Sequence, residues 1–252
     1  MKIIMQALLD FKSIGEAIDY ALENGFDGVE IGLSNPYFYK EFIERGIDSP
    51  VPILIHSIDG FDLSTPIVEV REAGWQWLQR MVERAQSYGV RVYTIHLGTG
   101  IPFAYTGRKI FLQEEFPAFF SKPLEEMISQ LSRYSIIAVE NVGIFRFGFV
   151  RELIQRYLSE GLKLTWDIGH TFLLKDGREE ESFFLKNRES IVNIHLHDNY
   201  GQRDEHNVIG DGKIDFRRIL SYFRDWDGYF TIEVRPKEKA VESLHRLRDM
   251  WE

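Results

Sequence analysis

Short apolar runs rich in β-branched residues recur along the whole chain, and the stretches between them place apolar residues at helical spacing. The runs predict strands at 2–8, 28–33, 52–57, 90–97, 136–141, 163–168, 191–197 and 229–234. SIGEAIDYALENG reads as a helix capped by Ser13, with apolar Ile14, Ala17, Ile18, Ala21 and Leu22 on one face and a stop at Gly25. VEVREAGWQWLQRMVERAQSYG ends at Gly89, FGFVRELIQRYLSEG ends at Gly161, DFRRILSYFRDW begins at Asp215, and KAVESLHRLRDMWE reaches the C-terminus. Strands alternating with helices need parallel pairing and crossover connections. The pattern predicts an α/β chain folded as a single (β/α)8 TIM barrel over residues 1–252. An open doubly wound sheet fits less well, because no glycine-rich phosphate loop follows the first strand. The irregular segments 34–50, 99–123 and 199–213 all follow strands, which puts them on the rim where barrel loops build sites.

Six of the apolar runs end in a metal-ligand type. These are His56 in PILIHS, His96 in VYTIHLG, Glu140 in IIAVENV, Asp167 with His170 in LTWDIGH, His195 in IVNIHLHDN, and Glu233 in YFTIEV. Glu140 and Glu233 interrupt otherwise apolar strands, where an unpaired carboxylate is costly, so each is expected to be paired, metal-bound or catalytic. His197 follows His195 on the same strand face and is expected behind the site, and RDEH adds Asp204 and His206 in the next loop. The chain has seven histidines, and His245 alone falls on a helix pattern, where it reads as a surface residue. IGDGKIDF is a glycine-rich turn entering a helix, either an ordinary tight turn or a set of backbone N–H groups for an anion such as a substrate phosphate. The rim aromatics Tyr37, Phe38, Tyr39, Phe61, Phe103 and Tyr105 are candidates for an apolar wall against a sugar, with some of them packing helices.

Composition narrows the chemistry. With no Cys, any ion must be held by His, Asp and Glu, a set suited to Zn2+, Mn2+, Co2+ or Fe2+. The N-terminus reads as the first strand rather than a signal peptide, no apolar run is long enough to span a membrane, and a cytoplasmic setting is expected. A net charge of −9 argues against a duplex-DNA partner without excluding a local basic groove, and the chain is compatible with an oligomer.

These residues, in this order, resemble the xylose isomerase-like TIM-barrel superfamily, which includes the AP endonuclease family 2 group (endonuclease IV) and sugar isomerases and epimerases. HLHDNYGQRDEHNVIGDGKIDF followed by FTIEV looks like the sugar phosphate isomerase/epimerase branch. The resemblance implies one to three divalent ions, Zn, Mn, Co or Mg. On the epimerase pattern Glu140, Asp167, His195 and Glu233 hold one ion, and the two glutamates exchange a proton beside a sugar or sugar-phosphate carbonyl. His170 matches a substrate-contacting His. The family's Arg, six residues after the match to His195, is replaced by Gly201, and Arg203 lies two positions further on. On the endonuclease IV pattern His56, His96 and Glu140 hold one zinc, Glu140 bridges to a second held by Asp167, His195 and Glu233, and His170, Asp204 and His206 hold a third. That family's DNA-handling parts are missing: its Tyr-Leu wedge reads Asp59-Gly60, and its basic loop reads SNPYFYKEF. The first reading is therefore a metal-dependent sugar isomerase or epimerase, the second a multi-zinc phosphoesterase, and the third a barrel that binds a metabolite without turnover.

Overall fold

The computed structural model describes residues 1–58, 62–175 and 177–251. The chain runs β1 (Lys2–Ala7), α1 (Ile14–Glu23), β2 (Gly28–Gly32), α2 (Pro36–Glu44), β3 (Ile53–His56), α3 (Val68–Ser87) and β4 (Val92–Ile95). A two-stranded antiparallel hairpin, β5 (Pro102–Tyr105) and β6 (Arg108–Phe111), leads into α4 (Leu112–Glu115) and α5 (Pro117–Leu131). β7 (Ile137–Glu140), α6 (Gly148–Leu158), β8 (Lys163–Asp167), α7 (Ile168–Leu173), α8 (Gly177–Lys186) and β9 (Ile191–Leu196) follow. α9 (Phe216–Ser221), β10 (Tyr229–Ile232) and α10 (Lys237–Trp251) complete it. Strands β1, β2, β3, β4, β7, β8, β9 and β10 close into a parallel barrel.

All eight predicted barrel strands are present, with ends trimmed by one or two residues. The segments read as irregular are more ordered than expected: 34–50 holds α2 and 99–123 holds the hairpin, α4 and the start of α5. α2 escaped notice because its start lies in Asn35-Pro36, a cap and an N1 proline whose signature is short, and because its core face rests on just Phe38 and Phe42.

Side chains alternate across a strand, and this positions the site. One set of alternate residues (Ile3, Met5, Val29, Ile31, Tyr93, Ile95, Trp166, Ile194, Phe230 and their neighbours) forms the main core with the helices. The other set fills the barrel in layers. Ile4, Leu54, Val92 and Ala138 form an apolar floor. Above it a polar layer is joined across the lumen: Thr94 Oγ1 meets Thr165 Oγ1 at 2.9 Å, and Asn193 Nδ2 donates to Glu30 Oε2 at 2.9 Å. His96, Asp167, His195 and Glu233 lie two residues beyond Thr94, Thr165, Asn193 and Thr231, and His56 and Glu140 lie two beyond Leu54 and Ala138 of the floor. A constant parity thus converts strand-end residues from six strands into one ring at the C-terminal mouth.

Candidate metal centre

The ring collects around Glu140, which is almost fully buried. Its Oε2 lies 3.0 Å from His56 Nε2 and 2.9 Å from His96 Nε2, and its Oε1 lies 3.3 Å from His195 Nδ1. His195 Nδ1 is also 3.1 Å from Glu233 Oε2 and 3.9 Å from Asp167 Oδ2. Glu140, Asp167, His195 and Glu233 therefore form one four-residue group able to hold a cation, and His56, Glu140 and His195 form another.

A second cluster abuts the first. Asp167 caps α7, its Oδ1 accepting the His170 N–H at 2.7 Å, which leaves Oδ2 facing the site. His170 Nε2 and His206 Nε2 approach the same oxygen of Asp204, at 3.3 and 3.2 Å. The loop reaches back because Asp198 and Asn207 form an isolated antiparallel bridge with paired backbone hydrogen bonds of 2.9 and 2.8 Å. His206 takes a left-handed backbone (φ 49°) and stacks on His197 with ring centroids 4.0 Å apart. His197 was expected behind the site, yet its Nε2 sits 3.2 Å from Asp167 Oδ1 and 3.5 Å from Asp204 Oδ1, and it belongs to two further ligand groups, with Asp167 and His170 and with Asp204 and His206. Gly169 permits this, since a Cβ there would come within 2.1 Å of the His197 ring.

Opposite charges at short range dominate the titration. Burial alone would raise Glu140, Glu233 and Asp167, but facing imidazoles hold all three below the ordinary carboxylate range. Burial alone would lower His195 and His170, but Glu30 and Glu140 around the first and Asp167 and Asp204 around the second hold both well above an ordinary His. Several buried ligand atoms make no well-formed hydrogen bond: Asp167 Oδ2, His170 Nδ1, both ring nitrogens of His197, and Glu233 Oε2, of which His197 Nε2 and Glu233 Oε2 meet only an oppositely charged neighbour, at 3.2 and 3.1 Å. Unpaired buried polar atoms are rare and costly, and a shared cation satisfies all of these donor types at once. The residues present fit a divalent metal.

Other candidates from the sequence lie in, beside or away from the site. The N–H groups of the glycine-rich turn are already occupied: Gly210 and Gly212 donate to Asp198 Oδ2 at 2.9 Å each and Ile214 to Asp198 Oδ1 at 3.2 Å, so the turn wraps the chain's own carboxylate and not a substrate phosphate. Among the described residues, none of the rim aromatics lines the cavity. Phe38 is fully buried in the core, Tyr39 packs against it, and Tyr37, Phe103 and Tyr105 are exposed away from the cavity; Phe61 and the Asp59-Gly60 pair lie outside the described residues. Leu8 and Leu9 line the cavity instead, which has a volume of about 550 Å³. Arg203 is exposed and does not line it. Arg235 does, with Nη2 donating to Gln6 Oε1 and Glu233 Oε1 at 2.9 Å each, and His245 is exposed as expected. Glu30, fully buried on β2 and 3.2 Å from His195 Nε2, is a site residue that sequence reading missed, although GVEIG shows the same carboxylate-in-apolar-run signal as AVENV.

A closed eight-stranded parallel barrel with His, Asp and Glu gathered at its C-terminal mouth defines a class of barrel suited to metal chemistry. The family described as xylose isomerase-like TIM barrel matches residues 18–250, and the chain belongs to it. An uncharacterised protein of Methanocaldococcus jannaschii, MJ1311, is 26% identical over 256 residues, covering 96% of this chain and 86% of its own length. A probable endonuclease 4 of Aquifex aeolicus is 25% identical over 240 residues, covering 84% and 81%. The crystal structure of a D-tagatose 3-epimerase-like protein superposes with a TM-score of 0.76 at 24% identity, covering 99% and 97% of the two chains. Structures of D-psicose 3-epimerase and of endonuclease IV from Thermus thermophilus share the fold as well.

Proposed function

We propose that this chain is a divalent-metal enzyme that holds more than one ion at the barrel mouth and cleaves a phosphate ester of a small anionic substrate. The observation that carries the reading is where the unsatisfied buried ligand atoms lie. Asp167 and Glu233 belong to the four-residue group, whereas His170 and His197, each offering one ring nitrogen, belong to the outer groups, which a single four-ligand site leaves without an ion. Bound divalent ions supply positive charge that polarises a phosphoryl oxygen and acidifies water.

The chain's own groups have separate tasks. Both oxygens of Glu140 already face imidazoles, so it would serve as a metal-holding carboxylate and not as a free base. Asp204 sets the rings of His170 and His206. Arg235 is the sole Lys or Arg among the described residues lining the cavity, and its N–H groups beyond Nη2 remain available to an anion. Leu8 and Leu9 offer an apolar face to the rest of the substrate. With a net charge of −9, a small phosphoester suits the chain better than duplex DNA.

A sugar isomerase or epimerase is the second reading. It is favoured by Glu140 and Glu233 approaching one imidazole from two strands, at 3.3 and 3.1 Å from His195 Nδ1, so that both carboxylates would flank an ion held by that ring. One assay pair separates the two. Zinc- or manganese-loaded protein is expected to release nitrophenolate from bis(p-nitrophenyl) phosphate or p-nitrophenyl phosphate, with the rate falling about 100-fold or more in Glu140→Gln. Absence of phosphoester turnover together with solvent deuterium entering the carbon skeleton of a ketose would overturn the hydrolase in favour of the isomerase.

A further inference from the structure

Glu30 is a fully buried carboxylate with no Lys or Arg paired to it among the described residues. Its Oε1 accepts from Gln6 Nε2 at 3.3 Å, and its Oε2 from Asn193 Nδ2 at 2.9 Å and faces His195 Nε2 at 3.2 Å. Burying a carboxylate without a cation costs several kcal/mol, roughly, and a purely structural strand position is served better by an apolar side chain. The cost is offset only if the charge acts on something, and the one titratable group in hydrogen-bonding reach is His195.

The two nitrogens of His195 face different surroundings. Nδ1 points at Glu140, Glu233 and Asp167, and Nε2 points at Glu30. His56 and His206 divide their nitrogens the same way, with Nε2 toward the carboxylates and Nδ1 toward a backbone carbonyl, Ser57 O at 3.0 Å and Glu233 O at 2.9 Å. Carbonyls are neutral acceptors. His195 differs in having a carboxylate behind it, and it is the imidazole at the centre of the four-residue group.

We infer that Glu30 is a positioning residue for the metal centre: it accepts the Nε2–H of His195, fixes the tautomer that keeps the Nδ1 lone pair on the cluster, and strengthens Nδ1 as a donor to the ion. The inference rests on the metal-centre reading, and neither the hydrolase nor the isomerase reaction is needed for it. Partners of this kind behind metal-binding His typically change affinity by about 10–100-fold.

The test is the affinity of the chelator-stripped full chain for Zn2+ and Mn2+, by calorimetry against a competing chelator, for the natural protein and Glu30→Gln. Gln keeps the size and an acceptor oxygen but removes the charge. A loss of about 10-fold or more is expected. In the zinc-loaded protein the His195 Nε2–H resonance should move upfield in Glu30→Gln. A structural role alone would lower the melting temperature of the metal-free protein and leave zinc-site affinity and that resonance unchanged, and this result overturns the inference. If Glu30→Gln does not fold, Gln6→Met loosens the same carboxylate through Oε1. A smaller affinity loss in the same direction supports the inference, and unchanged affinity contradicts it. A natural protein that binds no divalent ion overturns both this inference and the metal-centre reading, whereas binding that is indifferent to Glu30 overturns this inference alone.

Discussion

His206 shows how single residues set the conditions for loading. Burial lowers its pKa, but its hydrogen bond to Asp204 and the nearby carboxylates outweigh that and bring it up to about 9 in the metal-free protein. The value is raised above the ordinary 6.5, so the stability that the protonated ring contributes is complete below about 6.5 and is lost as pH rises through about 9. A cation needs the neutral ring. Loss of the His206 proton is therefore expected to tighten metal affinity of the outer cluster by about tenfold per unit between pH 6.5 and 9, with the His170 proton adding to the slope, measured by calorimetry. A flat profile would contradict the placement of His206 among the ligands. At this scale the sequence was informative where chemistry marks the residue. Glu140 and Glu233 stood out as carboxylates inside apolar runs. Glu30 carried the same mark, but it lies in the middle of its strand and not at its end, and its partners, Gln6, Asn193 and His195, come from β1 and β9. Such contacts depend on barrel closure and leave no local pattern.

At the scale of elements, the segment from 198 to 216 combines a cap that forms as expected with a turn whose two readings the structure separates. Asp215 was read as a helix cap, and its side chain does accept the Arg218 N–H at 3.0 Å. The glycine-rich turn was open to an exogenous anion, whereas the anion is Asp198, which takes N–H groups from Asn199, Gly210, Gly212 and Ile214. Turn chemistry announced that backbone donors would converge, but not which acceptor the fold would bring to them. Gly212 has to be glycine here, because a Cβ would lie 2.2 Å from Asp198 Oδ1. Asp198→Ala leaves these buried donors unpaired, and hydrogen bonds to a charged acceptor contribute most, so unfolding in urea should show a loss of about 3 kcal/mol or more. Because the Asp198 side chain also anchors the turn that follows Asp204 and His206, freeing that turn in the same variant should weaken metal binding in the outer cluster. A loss under about 1 kcal/mol would show that this clasp is dispensable.

For the whole molecule, alternation along eight strands places floor, polar layer and ligand ring in order, and this much was legible from apolar runs ending in His, Asp or Glu. The reaction was less legible. The four-residue core of Glu140, Asp167, His195 and Glu233 suits both readings, and the sequence favours the isomerase because the parts that would handle DNA are replaced and the net charge is −9. What the fold adds is direction: His56 and His96 converge on one oxygen of Glu140, and His170, His197 and His206 converge on Asp204 and Asp167. A fold shared by epimerases and endonuclease IV leaves the choice to the site. The central claim is that the outer set holds ions of its own. The most direct measurement is the number of tightly bound metal ions per chain after zinc loading and desalting, by elemental analysis of the natural protein and of Asp204→Ala/His206→Ala. The account predicts more than one ion per chain in the natural protein and fewer in the double variant. One ion per chain in both proteins would contradict it.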